Sequence, residues 1–224
     1  MPDNATLRER MRNGETLQIG SASMDATKDQ LVDILNQGSY DMIGVCSQHG
    51  PFDEEKLHSF CTYAHQLGVP VQLRIKHPKD AYIIGNLCDL GPAAIVIPQV
   101  EEEVVVDEAI RAFYYPPVGI RSFPPPNGYG RDKYTDRDEY MEWWNENGIL
   151  AVQIESVNAT VNACKLAKPG IAMIYFGVQD LDISIAMHPN PPFLSVEDCK
   201  VHVREQMEST GIKVSKADAL SGEV

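Results

Sequence analysis

The sequence is short of positive charge. Against 32 Asp and Glu stand 19 Lys and Arg, a formal net charge of −13 over 224 residues. Binding to a phosphate backbone needs clustered Lys and Arg to displace counterions, so nucleic acid and anionic membrane surfaces are not expected partners. Long apolar runs are also lacking: no stretch approaches the ~20 residues that cross a bilayer. The opening MPDNATLRERMRNGE has no apolar leader segment. Five cysteines, Cys46, Cys61, Cys88, Cys164 and Cys199, are odd in number and form no C-x-x-C pair, which reads as reduced thiols. These absences lead to the expectation of a soluble, cytoplasmic protein. Internal repeats and low-complexity segments are missing too. Gly128 and Gly130 in NGYGRD follow no strand and make no G-x-G-x-x-G phosphate loop.

With 43% hydrophobic residues, a chain of this length buries a full core. One α/β domain over residues 1–224, of the barrel or doubly wound type, is expected. Short apolar runs alternate with segments of helical period, the signature of βα units around a parallel sheet. The expected strands are Leu17–Ser21, Met42–Cys46, Val71–Ile75, Ala94–Ile97, Ile149–Ile154 and Ile171–Phe176, with Gly211–Val214 a candidate seventh. The expected helices are Lys28–Gln37, Asp53–Leu67, Asp80–Leu90, Glu101–Phe113, Val157–Ala167 and Val196–Ser209. Gly38, Gly68, Gly91 and Pro116 close several of them. One insertion, Tyr114–Asp136, is rich in proline and aromatics. Loops of that length inside compact domains are usually functional or disordered, and this one is expected at the entrance of a site, with Tyr129 or Arg131 near substrate.

In parallel α/β folds, catalytic groups gather at the C-terminal ends of the strands. The second strand is followed by Gln48 and His49, the third ends on Arg74, the fifth on Gln153, Ile154 and Glu155, and the sixth leads to Gln179, Asp180 and Asp182. Hard divalent cations take one or two carboxylates and keep positions for water and substrate oxygens, which Glu155 and Asp180 supply. An arginine binds a carboxylate or steadies an enolate oxygen, and a histidine moves a proton near neutral pH. Singly, each residue has an ordinary structural reading as a cap, a surface ion pair or a core histidine. Their joint placement at strand ends favours a site. His58, Cys61 and His65 share a helix face, where a packing role outweighs zinc binding.

The segments YDMIGVCSQHGP, VQLRIKHP, LCDLGPAAIVIPQVE, YYPPVGIRS, VQIESV and IYFGVQDLDIS resemble, in order and spacing, the motifs of the HpcH/HpaI aldolase family of class II, metal-dependent pyruvate aldolases. The resemblance runs from about Leu17 to Ser184 and implies a TIM (β/α)8-type barrel of the phosphoenolpyruvate/pyruvate kind. With 44 residues after Asp180, the last βα units are expected to be incomplete or modified. The resemblance implies Glu155 and Asp180 as ligands of Mg²⁺ (or Mn²⁺ or Co²⁺), with Gln153 and Gln179 beside substrate. It also implies Arg74 on the keto oxygen of pyruvate, and His49, supported by Asp89, as the proton carrier. The implied reaction is carbon–carbon cleavage of a 2-oxo acid through a pyruvate enolate, with an aldehyde as the second partner. A homo-oligomer, trimer or hexamer, is implied as well. Where the family reads Asp-x-Glu-His-Gly, this chain has Cys46-Ser47-Gln48-His49-Gly50, and the usual Gly-Pro-x-Asp is Gly177-Val178-Gln179-Asp180. These departures keep two alternatives open: a related enolate enzyme, such as an oxaloacetate decarboxylase or a condensing enzyme, and a binding or scaffold protein that has lost turnover.

Overall fold

The structure is a computed structural model that describes residues 6–13, 15–123, 128–208 and 210–215. Seven strands, β1 (Ile19–Ser21), β2 (Met42–Cys46), β3 (Val71–Arg74), β4 (Ala94–Ile97), β5 (Ile149–Ile154), β6 (Met173–Phe176) and β7 (Lys213–Val214), form one parallel sheet in chain order. Ten helices accompany them among the described residues: α1 (Leu7–Arg12), α2 (Lys28–Leu35), α3 (Glu54–Gln66), α4 (Ile84–Asp89), α5 (Glu103–Phe113), α6 (Arg137–Asn147), α7 (Val157–Val161), α8 (Ala163–Leu166), α9 (Val178–Met187) and α10 (Val196–Met207).

The local sequence explains where several helices begin. Thr27 caps α2 in a reciprocal box with Gln30, Asp53 accepts from the Lys56 amide, Asp136 from those of Asp138 and Glu139, and Ser195 from that of Asp198. Each cap satisfies amides that a helix start leaves without partners. The strands β2 to β5 are buried along nearly their whole length because helices cover the outer face and the chain fills the inner one.

The sheet is curled. Tyr175 on β6 donates from its hydroxyl to Gln72 Oε1 on β3 at 3.1 Å, although three strand spacings of about 4.8 Å would hold them roughly 14 Å apart in a flat sheet. Alternate residues point inward: Met42, Ala94, Val96, Ile149, Ala151, Met173 and Tyr175 form one interior cluster with Met11 of α1. Met11 is 2% exposed. α1 thus stops the N-terminal end of the half-barrel, held there by Arg8, which donates to the carbonyls of Asn145 and Gly148 at 2.9 and 3.0 Å. A larger cluster, including Leu57, Phe60, Ile84, Val106, Phe113 and Trp144, fills the layer between helices and sheet.

The expected α/β barrel with incomplete last units is what the chain forms: β7 is two residues long, and among the described residues no eighth strand joins it to β1. Four local expectations change. Asp80–Leu90 is a 3-10 turn, Pro78–Ile83, followed by the short α4, Ile84–Asp89. Val157–Ala167 breaks at Asn162 into α7 and α8. The helices α6 and α9 occupy segments read as connections: RDEYMEWWNEN and VQDLDISIAM lack a clean apolar stripe. The last helix was expected to reach Ser209, which lies outside the described residues, as do residues 124–127 of the proline-rich insertion.

If α1 is a structural stopper, Met11→Ala removes a buried side chain and costs about 2–5 kcal/mol. Met187→Ala, on a side chain 78% exposed, stays within about 0.5 kcal/mol. Urea unfolding midpoints of the two variants compare them directly.

Candidate active site

The inward alternation that lines the lower interior with apolar groups brings polar ones to the upper rim. Cys46 and Arg74 end β2 and β3 in register with one another. The Ser47 hydroxyl donates to the Arg74 carbonyl at 2.8 Å, pinning the two strand ends together. Arg74 is 5% exposed. Its Nε and Nη2 donate to Cys46 Sγ at 3.1 and 2.9 Å, and its Nη1 donates to Gln153 Oε1 on β5 at 3.4 Å. The guanidinium is therefore held flat across the open end of the sheet.

Glu155 follows β5 by one residue. It is 4% exposed, and neither carboxylate oxygen makes a well-aligned hydrogen bond, although the Gln99 backbone and the Asp180 side chain lie close to it. Burial, then the nearby Asp180 carboxylate, push the Glu155 pKa up to about 7, while Arg74 and the Gln99 backbone pull the other way. Asp180 lies exposed in the first turn of α9, where a helix N-terminus favours an acid. Gly177 makes the approach possible. A Cβ there would stand 2.5 Å from Glu155 Cγ and 2.7 Å from Gln153 Nε2, so any other residue would drive into the pair. Gln99, just past β4, has a φ of 49°, a left-handed conformation uncommon for a residue with a side chain.

Two carboxylates, one of them buried, are the donor set a hard divalent cation takes through one or two protein ligands plus water. Among the described residues no three His, Cys, Asp or Glu are grouped to hold a metal, so a cation at Glu155 and Asp180 would keep positions for substrate oxygens. The residues present fit such an ion.

Of the residues singled out in the sequence, Arg74, Gln153, Glu155 and Asp180 come together. Gln179 is exposed in the same turn as Asp180, and His49 is exposed in the loop after β2. Gln48 points Oε1 into the protein without a partner. Two expectations are corrected. Asp89 does not support His49 within the chain: it ends α4, which runs back to the start of β4, and it pairs with Arg121, Nη2 to Oδ1, at 2.7 Å. It sits at the opposite end of the strands from His49. The described residues of the insertion also lie at that end. The Tyr129 ring is 5.2 Å from His65, near the close of α3, and Arg131 stacks over Phe123 and Tyr140 at 5.0 and 5.5 Å. Tyr129 and Arg131 do not line the mouth because the insertion leaves α5 at its C-terminal end, beside the strand starts. The expected packing role of His58, Cys61 and His65 agrees with Cys61 being buried, which pushes its thiol pKa up, and with the His65 pKa being lowered by burial. The sequence reading missed Tyr175 and Gln99. Tyr175 alone carried a signal, as an inward-parity residue of β6.

The Glu155 shift has a defined sign. A carboxylic acid whose folded pKa, about 7, exceeds its ordinary 4.5 binds its proton more tightly in the fold, so stability falls as pH rises between those values. In chelator, the protein is expected to melt at lower temperature at about pH 8 than at about pH 5.5 through this group. Glu155→Gln is expected to flatten that difference and to raise the melting temperature at the higher pH. An unchanged slope in the variant would remove Glu155 as its source.

Comparison with known proteins shows the family and the fold. The chain is 24% identical over 211 residues to the hydroxypyruvate/pyruvate aldolase of Pseudomonas aeruginosa, covering 92% of this chain and 77% of that one. It is 28% identical over 215 residues to the 2-keto-3-deoxy-L-rhamnonate aldolase of Salmonella paratyphi B, covering 91% and 77%. The fold matches the crystal structure of an HpcH/HpaI aldolase from Desulfitobacterium hafniense DCB-2 with a TM-score of 0.79 at 22% identity, over 96% of this chain and 83% of that one. The family model for HpcH/HpaI aldolase/citrate lyase matches residues 24–221, and the chain belongs to that family.

Proposed function

We propose that the protein is a divalent-metal-dependent carbon–carbon lyase that acts on 2-oxo acids through a pyruvate enolate. The observation that carries this reading is the buried Glu155 carboxylate, near enough to the Asp180 carboxylate and the Arg74 guanidinium to feel both charges. Glu155 and Asp180 would hold Mg²⁺, Mn²⁺ or Co²⁺. When bound, such an ion supplies Lewis-acid polarisation of the 2-oxo carbonyl.

The remaining work falls to side chains. Arg74, held by Cys46 and Gln153, donates to the keto oxygen and balances the negative charge that grows there as the adjacent carbon loses its proton. Gln153 and Gln179 orient the substrate through their amides. His49, exposed at the rim, carries the proton between the substrate and water. The enolate carbon then attacks an aldehyde, or is released when a longer hydroxy-oxo acid is cleaved. The aldolases similar to this chain, named for pyruvate and for a 2-keto-3-deoxy sugar acid, support a 2-oxo acid as the substrate class. The relation to aldolases also favours an assembly of several copies.

Proton NMR of pyruvate in D₂O, with protein and Mg²⁺ or Mn²⁺, tests the reading. The methyl signal is expected to exchange with solvent, and to stop exchanging with chelator or with Glu155→Gln. Arg74→Ala is expected to slow exchange by roughly 10²–10³-fold, the usual loss of one donor on a developing oxyanion. His49→Ala is expected to slow it by about 10²-fold. A folded protein that exchanges no methyl protons with any divalent metal would overturn the proposal.

A further inference from the structure

Cys46, against which Arg74 rests, touches no reacting atom in the chemistry above and acts only through the arginine. Cys46 Sγ takes both Nε and Nη2 of the guanidinium, and the third contact, from Nη1, goes to the Gln153 amide oxygen. An arginine has five N–H donors in a fixed fork. These three contacts leave one N–H on each Nη for substrate oxygens.

The acceptors that Arg74 meets are a thiol sulfur and an amide, neither of them a carboxylate. Glu155 and Asp180 bring two negative charges and Arg74 one positive. A divalent ion held between the acids leaves the site with a net charge of about +1. A carboxylate in place of the thiol would form a two-bonded ion pair with the same edge of the guanidinium and bring that sum to zero. A 2-oxo acid enters with one negative charge and carries a second as its enolate, so the uncompensated arginine favours the charge that develops.

We infer that Cys46 is a positioning residue that grips the Nε/Nη2 edge of Arg74 while leaving its positive charge free for a 2-oxo acid and its dianionic enolate. The inference rests on the enolate reading for its substrate class. Its physical core is a charge balance, which is measurable without turnover.

The test uses oxalate, a planar dianion with the oxygen arrangement of the enolate, and Mn²⁺. Mn²⁺ affinity of the metal-free protein is measured by electron paramagnetic resonance, and oxalate affinity of the Mn²⁺-loaded protein by calorimetry. Cys46→Ser keeps an uncharged acceptor, and both affinities are expected within about threefold of the unaltered protein. Cys46→Asp is expected to move them in opposite directions, Mn²⁺ tighter and oxalate weaker, each on the order of tenfold, the lower end of what one neighbouring charge does to an ionisable group. Loss of both affinities together, as damage to the fold would give, or oxalate bound no more weakly, overturns the inference. Should Cys46→Asp not fold, Cys46→Ala decides: oxalate is expected to weaken with Mn²⁺ affinity kept, and unaltered oxalate binding overturns the positioning role. Opposed shifts in a protein that exchanges no pyruvate methyl protons would remove the enolate reading and leave the charge role standing. Methyl exchange with unaltered oxalate affinity in Cys46→Asp would remove the charge role alone. A protein that binds neither probe loses both.

Discussion

The Glu155 carboxylate is taken out of water with neither oxygen in a well-aligned hydrogen bond, and an unpaired buried charge is costly enough that such a group holds its proton or finds a cation. Much of the rim is arranged around that requirement. Gly177 gives up a side chain so that β6 can pass against Glu155 and Gln153. The turn beyond it brings Asp180 to the same place on the first turn of α9. The Arg74 guanidinium supplies a countercharge to Glu155. Left without a cation, this arrangement stores electrostatic free energy at the point where two acids meet, a common condition of sites built to bind and react.

The rest of the half-barrel keeps that arrangement rigid. Parallel strands in register place every second residue inward, so a single alternation produces an apolar lower interior and a polar upper rim. Met11 closes the lower end, and the Tyr175–Gln72 hydrogen bond ties opposite walls midway. Arg121 of the insertion, stacked over Tyr115 and Trp144 at 4.9 and 4.2 Å and paired with Asp89, strengthens the closed end. Closed end and reactive end are thus separated along the strand axis, as they are in barrels whose active sites lie beyond the strand C-termini.

Much of this was legible in the chain. The six longer strands and the glycine or proline that closes several helices follow from hydrophobic period and turn chemistry, which act locally. Arg74, Gln153, Glu155 and Asp180 stand out as polar residues at or just past the strand ends, positions that the parallel topology gathers on one side of the sheet. Asp89 was paired with His49 through the resemblance alone, and a motif does not tell which end of the sheet its residues reach. The insertion was misplaced for the same reason: its composition marks it as structured, and only its attachment to the close of α5 sets the end at which it packs. α6 and α9 escaped because neither carries a clean apolar stripe, their buried residues being few: Tyr140 and Trp144 in one, Leu181 and Ile185 in the other.

By itself the sequence determined the element order, the parallel sheet and the set of polar residues at strand ends, because period, capping and turn preference are properties of neighbouring residues. Only the tertiary structure decided which of those polar groups meet. The partner of Arg74 is a thiol, the partner of Asp89 is Arg121, and Glu155 has no well-aligned one. Those outcomes depend on the curl of the sheet and the register between strands, which bring together residues that lie far apart along the chain.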